Sequence, residues 1–273
     1  MSAAAILGQD LSALAFCWRL ARRDGVTIGL TSHDRDLTVG GVRYRAAPGL
    51  VPSAIRQGTE LEPESMDVRG ALSSDAITVR DLEAGRWDGA AVTLALTEWT
   101  DPGALWLVLA QGTLGAVERE GAAFTAELAG AAAVLNAPVA PETTPDCRAT
   151  LGDRDCRVDL AKWRRVAVAS GADDAVVGIT GGMGAEEYYA FGTLRWLGGA
   201  NVGIVQAIVA GDADGVTLAD APPFAVTPGT RVLLTQGCDR RLESCVGRFA
   251  NAVNFRGEPW LPGNDLLTRY PGA

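Results

Sequence analysis

The chain contains a single lysine, Lys162, and a single histidine, His33. Lys162 sits in Ala161-Lys162-Trp163-Arg164 and not in a glycine-rich turn before Ser or Thr, which excludes a P-loop. Chemistry that needs several histidines, such as zinc hydrolysis, has no donor set to draw on. His33 itself falls in the polar turn Ser32-His33-Asp34-Arg35-Asp36, where a local hydrogen bond accounts for it. No run of about 18 apolar residues occurs, so no membrane-spanning helix is expected. Residues 1–15 lack a basic stretch and carry Asp10 within their apolar pattern, unlike a signal peptide. Positive charge is scarce as well. The net charge of −9 argues against direct nucleic-acid binding, which demands clustered cations, and favours solubility and contacts with other proteins.

What is present is enough to build two cores: 273 residues, 48% of them hydrophobic. Apolar positions Leu11, Leu14, Cys17, Leu20 and Ala21 recur at helical spacing, predicting a helix over 11–23 with Cys17 as a small buried hydrophobe. Strands are expected at 26–30, 39–44 and 76–79, then a helical turn broken by glycines at 81–90. An antiparallel meander is expected over 91–98, 105–110, 114–119 and 122–128. An alanine-rich turn or short helix at 130–137 precedes 138–145, which holds Pro138, Pro141 and Pro145 and marks the domain boundary. Beyond it, strands at 166–169, 188–196, 204–210, 216–219 and 231–235 predict a small β-barrel or sandwich. The glycine run from Gly178 to Gly184 lacks the strand-to-helix context of a dinucleotide fingerprint and reads as a flexible loop. The expected fold is mainly β with short helices (α+β). A β-rich domain spans 1–137, and a cysteine module containing a small barrel spans 138–273.

Four of the five cysteines form two pairs, Cys147 with Cys156 and Cys238 with Cys245, nine and seven positions apart. Both spacings exceed the C-x₂-C knuckle of most structural zinc sites and suit loops that wrap a bulkier iron–sulfur cluster. Arg148, Arg154, Arg157, Arg240 and Arg241 lie in or beside these loops, where cations would offset the negative charge of a thiolate-bound cluster. Gly152 and Gly237 would let the backbone approach the sulfurs. Without an export signal the thiols are expected to be reduced. Spacing alone leaves zinc, disulfides and unliganded thiols open beside the cluster. Glu186 and Glu187, next to Tyr188 and Tyr189, form the one carboxylate pair resembling a hydrolase acid and base. Neighbours on a strand point to opposite faces, however, so catalysis is not expected from them.

The residues after the last cysteine, Arg248-Phe249-Ala250-Asn251 through Asn254-Phe255-Arg256-Gly257-Glu258-Pro259-Trp260-Leu261-Pro262-Gly263-Asn264-Asp265, resemble the phage lambda tail tip protein L family. Asp81-Leu82-Glu83-Ala84-Gly85-Arg86-Trp87-Asp88-Gly89-Ala90 resembles the domain that precedes this cysteine module in prophages and gene transfer agents. Together these point to the baseplate hub family. The resemblance implies a structural, non-enzymatic protein, made in the bacterial cytoplasm and built into the tail tip of a phage-like particle. It implies a homotrimer between the distal tail ring protein and the large tip protein. It also implies a [4Fe–4S] cluster on Cys147, Cys156, Cys238 and Cys245. The same ligands would serve a redox switch at the tip. One departure from the family is the 82 positions between the pairs, far more than in the lambda protein.

Overall fold

The computed structural model describes residues 6–8, 13–47, 51–52, 65–71, 77–120, 123–130, 140–184 and 188–261, with backbone alone at 51–52, 65–71, 116–120 and 123–127. The chain divides into two compact units, Met1–Pro138 and Val139–Ala273.

The first unit is one nine-stranded sheet built from β1 (Leu14–Ala21), β2 (Thr27–Thr31), β3 (Leu37–Val39), β4 (Val42–Ala46), β5 (Val51–Pro52), β6 (Ser65–Ala71), β7 (Ala91–Glu98), β8 (Trp106–Glu120) and β9 (Ala123–Ala129). Its order is β3-β4-β2-β1-β7-β8-β9-β6-β5, antiparallel except where β4 runs parallel to β2. The expected helix at 11–23 is instead strand β1, paired with β2 on one side and β7 on the other. The reason is that both faces of β1 are covered. Trp18 and Leu20 enter the main core with Leu30, Trp87, Val92 and Leu94, while Ala15 and Cys17 pack with Leu37 and Tyr44. Burial on both faces erases the period-2 alternation and leaves a spacing that imitates a helix.

Three further strand expectations change in detail. The segment 39–44 is a hairpin turning at Gly40 and Gly41, both at positive φ (57° and 79°), which separates β3 from β4. Val79 opens a helix and not a strand: α1 (Val79–Glu83) is capped by Thr78, whose side chain accepts from the Asp81 N–H. The two strands read at 105–110 and 114–119 are one, β8, because Gly112 breaks nothing. A Cβ there would lie 2.4 Å from the Ala129 carbonyl, so this glycine permits a close strand approach, and bulges absorb the mismatch with β7 and β9. The β7-β8-β9 meander stands as expected.

The second unit carries a closed six-stranded barrel: β10 (Arg164–Asp173), β11 (Val176–Ile179), β12 (Thr193–Trp196), β13 (Val205–Gly211), β14 (Gly215–Leu218) and β15 (Thr230–Thr235). The order round the barrel is β10-β11-β14-β13-β12-β15. Trp196, Leu194, Ile208, Val177, Val216, Leu218, Val232 and Leu234 fill it. Each such side chain taken from water stabilises the unit by roughly 1.5–3 kcal/mol. Strand β11 went unread because Gly178 and Ile179, counted with a glycine loop, belong to it; the turn itself is made by Gly181 and Gly182 at positive φ. Of 188–196 only Thr193–Trp196 is strand. Tyr188 to Gly192 turn back on themselves, with Phe191 at φ 63° and the Gly192 N–H donating to the Tyr189 carbonyl at 2.9 Å. After β15 come α2 (Leu242–Gly247) and a 3-10 turn, Ala252–Asn254. Residues 131–137, Glu186 and Glu187 lie outside the described residues.

The barrel begins and ends at one place. Arg164 on β10 pairs with Thr235 on β15, and the Gln236 N–H donates to the Trp163 carbonyl at 2.9 Å. That closure delivers the first and second cysteine pairs to the same rim.

Candidate cysteine site

Cys147, Cys156, Cys238 and Cys245 line one small cavity of about 20 Å³, together with Val158, Phe249 and Asn251 among others. Cys147 is held by two residues that follow the barrel. Its N–H donates to the Arg240 carbonyl at 2.8 Å, and its Sγ accepts the Arg256 N–H at 3.3 Å. Cys156 is positioned by Asp153, whose carboxylate accepts the N–H groups of Cys156 and Thr150, each at 2.7 Å. Those bonds, the Cys156 one foremost, hold the Asp153 carboxyl below the usual carboxylate range. Cys245 lies on α2, with its N–H donating to the Arg241 carbonyl.

One side chain joins the two halves. Asn251, 8% exposed, donates from Nδ2 to the Cys156 carbonyl at 2.6 Å and lies 3.7 Å from the Cys156 Sγ, while its N–H donates to the Cys245 carbonyl at 3.0 Å. The backbone around the site is strained. Arg157, Arg240 and Ala250 hold positive φ of 61°, 64° and 48°, three of the five non-glycine residues that do so among those described. Such conformations cost of order 1 kcal/mol or more each and gather at functional sites.

The site's electrostatics depend on what it holds. Burial pushes the Cys245 thiol up to about 11, and the neighbouring Cys147, Cys238 and Cys156 push the same way. Burial also raises the Cys238 thiol, opposed by the Arg240 N–H and reinforced by Asp239, Cys147 and Cys156. Four thiols gathered in one place repel further ionisation, and a cationic group among them reverses that balance. Among the described residues no Asp, Glu or His lines the cavity. Among the described residues no three Cys, His, Asp or Glu side chains gather as a single ion requires; the thiols surround a shared space instead. The donor set, four soft sulfurs with N–H groups directed at two of them and two arginines at the wall, suits a soft-metal centre, either zinc or an iron–sulfur cluster.

Several expected helpers act elsewhere. Arg240 and Arg241 line the cavity, but Arg154 and Arg157 do not, and Arg148 pairs with Glu258 through bonds of 2.7 and 2.9 Å. Gly152 is needed against the Leu160 side chain, and Gly237 against the backbone of Ala190 to Gly192, where a Cβ would meet the Ala190 carbonyl at 1.9 Å. Neither glycine is there for a sulfur. Arg248, unread from sequence, sits over the rings of Tyr188, Phe249 and Trp163 at 4.3, 4.8 and 5.6 Å. It also donates to the Gly237 carbonyl and Gln236 Oε1 at 3.1 Å each, fixing the post-barrel segment to the rim. His33 makes the local bond expected of it, its Nδ1 accepting the Arg35 N–H at 3.0 Å. Cys17 is fully buried in the first unit, apart from the four.

The chain is strand-built, with a sheet unit and a barrel unit, and four of its cysteines line one cavity beside the barrel. Residues 2–159 match the baseplate hub protein N-terminal attachment domain, and residues 187–265 match the phage conserved hypothetical protein BR0599 family. The first match contains Cys147 and Cys156, the second Cys238 and Cys245. The chain belongs to the phage baseplate hub protein family. It is similar to a chain in the solved virion of a native gene transfer agent (GTA) particle, with 39% identity over 99% of this chain and 95% of that one and a TM-score of 0.86. No curated protein matches it in sequence.

Proposed function

We propose that this baseplate hub protein works at the tail tip, as a homotrimer joining the distal tail ring protein to the large tip protein, with one [4Fe–4S] cluster stapling its second unit. The observation that carries the cluster is that four thiols from both sides of the barrel line one cavity free of competing acids or imidazoles. When bound, the cluster supplies four iron–thiolate bonds that crosslink segments 82 positions apart in sequence. The chain's own residues do the rest. Asp153 fixes the Cys156 loop, Asn251 ties that loop to α2, and the Arg256 N–H steadies the Cys147 sulfur. The space between the thiols is about one water's worth, so holding a cubane would require the four side chains to part. The sheet and barrel surfaces are left for docking.

Anaerobic purification followed by a visible absorption spectrum and iron, sulfide and zinc assays tests the cluster. A broad charge-transfer band with about four irons and four sulfides per chain, lost in Cys147→Ser, is the expected result. Zinc alone, or paired thiols with no metal, would remove the cluster and leave the hub role on the family match. The linkage is tested in particles: Cys238→Ser is expected to block tail assembly, and normal particle yield would overturn the staple.

A further inference from the structure

The geometry points to a second site, beside the thiol cavity, that receives an acidic side chain from an extended segment of another protein of the particle. A cleft of about 230 Å³ opens where the start of β10, the start of β12 and the end of β15 meet the loop between Cys147 and Leu160. Its walls divide by chemistry. Leu160 and Phe191 supply apolar sides, Arg164 and Arg240 supply two guanidinium groups, and Thr193 and Gln236 supply neutral hydrogen-bonding groups; no Asp or Glu lines it among the described residues.

Arg22, Arg43, Arg86 and Arg148 each hold a carboxylate, whereas Arg164 and Arg240 hold none among the described residues and make no side-chain hydrogen bond there. Two cations lining one concave space with no acid among its described residues, in a chain of net charge −9, make a local positive spot suited to a carboxylate. Phe191 stands at the lip 70% exposed, on a backbone held at φ 63°. A large aromatic kept outside in a strained conformation has the character of an interface anchor.

The occupant follows from these features. A nucleic acid would need many more cations than two and would meet the chain's net negative charge. The barrel is closed, so no free strand edge there can add a partner strand, and recognition runs through inserted side chains. An acidic residue flanked by apolar ones satisfies both walls. The cleft shares Cys238 and Arg240 with the thiol cavity, whereas Arg164 lines the cleft alone and is the residue that separates the two sites.

The test uses the full chain, purified anaerobically, and a fluorescein-labelled peptide, acetyl-Leu-Asp-Leu-Glu-Leu, followed by fluorescence anisotropy. Binding is expected to weaken about tenfold when the two acids are replaced by their amides, and about as much in Arg164→Glu. The visible spectrum and melting temperature should not change in that variant, which separates loss of the site from loss of the thiol cavity. Should Arg164→Glu fold poorly, Phe191→Ser, at an exposed position, is expected to weaken the same binding. Equal affinity for acid and amide peptides, no binding by either, or displacement by inorganic phosphate at equal strength in wild type and Arg164→Glu would each overturn the proposal.

Discussion

Arg148 grips both carboxylate oxygens of Glu258, 110 positions away, at 2.7 and 2.9 Å. Around that pair the backbone joins in: the Glu258 N–H donates to the Thr144 carbonyl at 2.8 Å, and the Arg148 N–H to the Arg256 carbonyl at 3.0 Å. The last described residues therefore strap the entry to the first cysteine loop. Arg148, and then the Thr144 N–H, hold the Glu258 carboxyl down at about 2 against an ordinary 4.5. A lowered carboxyl stabilises the fold fully above its ordinary value and loses that contribution as pH falls from about 4.5 towards 2. Wild type is therefore expected to exceed Glu258→Gln in urea midpoint at pH 7, with the gap closing across that window. A gap of constant size from pH 7 to pH 2 would show that the ion pair is not its source.

Cys17 and the four clustered cysteines should separate cleanly on substitution. Cys17→Ala removes a fully buried sulfur from the first unit and is expected to cost about 1 kcal/mol in stability, with iron and sulfide content unchanged. Cys245→Ser is expected to do the reverse to metal content, abolishing it. Iron loss in Cys17→Ala, read by the same assay, would place a ligand in the wrong unit.

Asn251 is the side chain on which both loops of the site meet. Asn251→Ala strips the Cys156 carbonyl of a buried partner, and also the Asn254 amide, which donates to Asn251 Oδ1 at 2.7 Å. Losing these bonds is expected to cost about 1–3 kcal/mol. Amide hydrogen exchange should quicken over Cys156 and α2 and stay unchanged in β7 to β9. Uniform exchange across both units would contradict a local role.

Arg248→Lys tests shape against charge. A lysine keeps the cation but cannot span Gly237, Gln236 and three rings at once, so a loss of about 1–2 kcal/mol is expected by thermal denaturation. An unchanged melting temperature would mean that charge alone suffices.

Sequence pattern revealed five of the six barrel strands and the β7 to β9 meander, because short apolar runs there are bounded by clear turn residues. It failed at β1, where Ala15 and Cys17 are buried on one side and Trp18 and Leu20 on the other, so no alternation survives to be read. It failed at Gly112 because a glycine that admits a neighbouring strand looks the same as one that makes a turn. At the cysteine site the four thiols were legible from their pairing. The supports were not. Asn251 and Arg248 lie in the very run that signals the family, yet nothing in their spacing tells which carbonyl or ring they will meet after the barrel closes. Arg154 and Arg157 show the converse error, since nearness in sequence to a cysteine did not bring them to the cavity.

The pairing of Arg164 with Thr235 has a bearing on how the molecule is made. Joining the cysteine pairs through an unstructured segment of that length would carry the entropy of closing a long loop. Once β10 has zipped against β15, the same ends are neighbours, and the loop that remains is only the few residues on either side. Barrel folding before thiol gathering is thus the order that loop-closure entropy favours, a clock in the life of the chain. A barrel whose two ends meet is also an exchangeable cassette. Its strands and turns can change in length without moving the two ends beside which the four sulfurs lie.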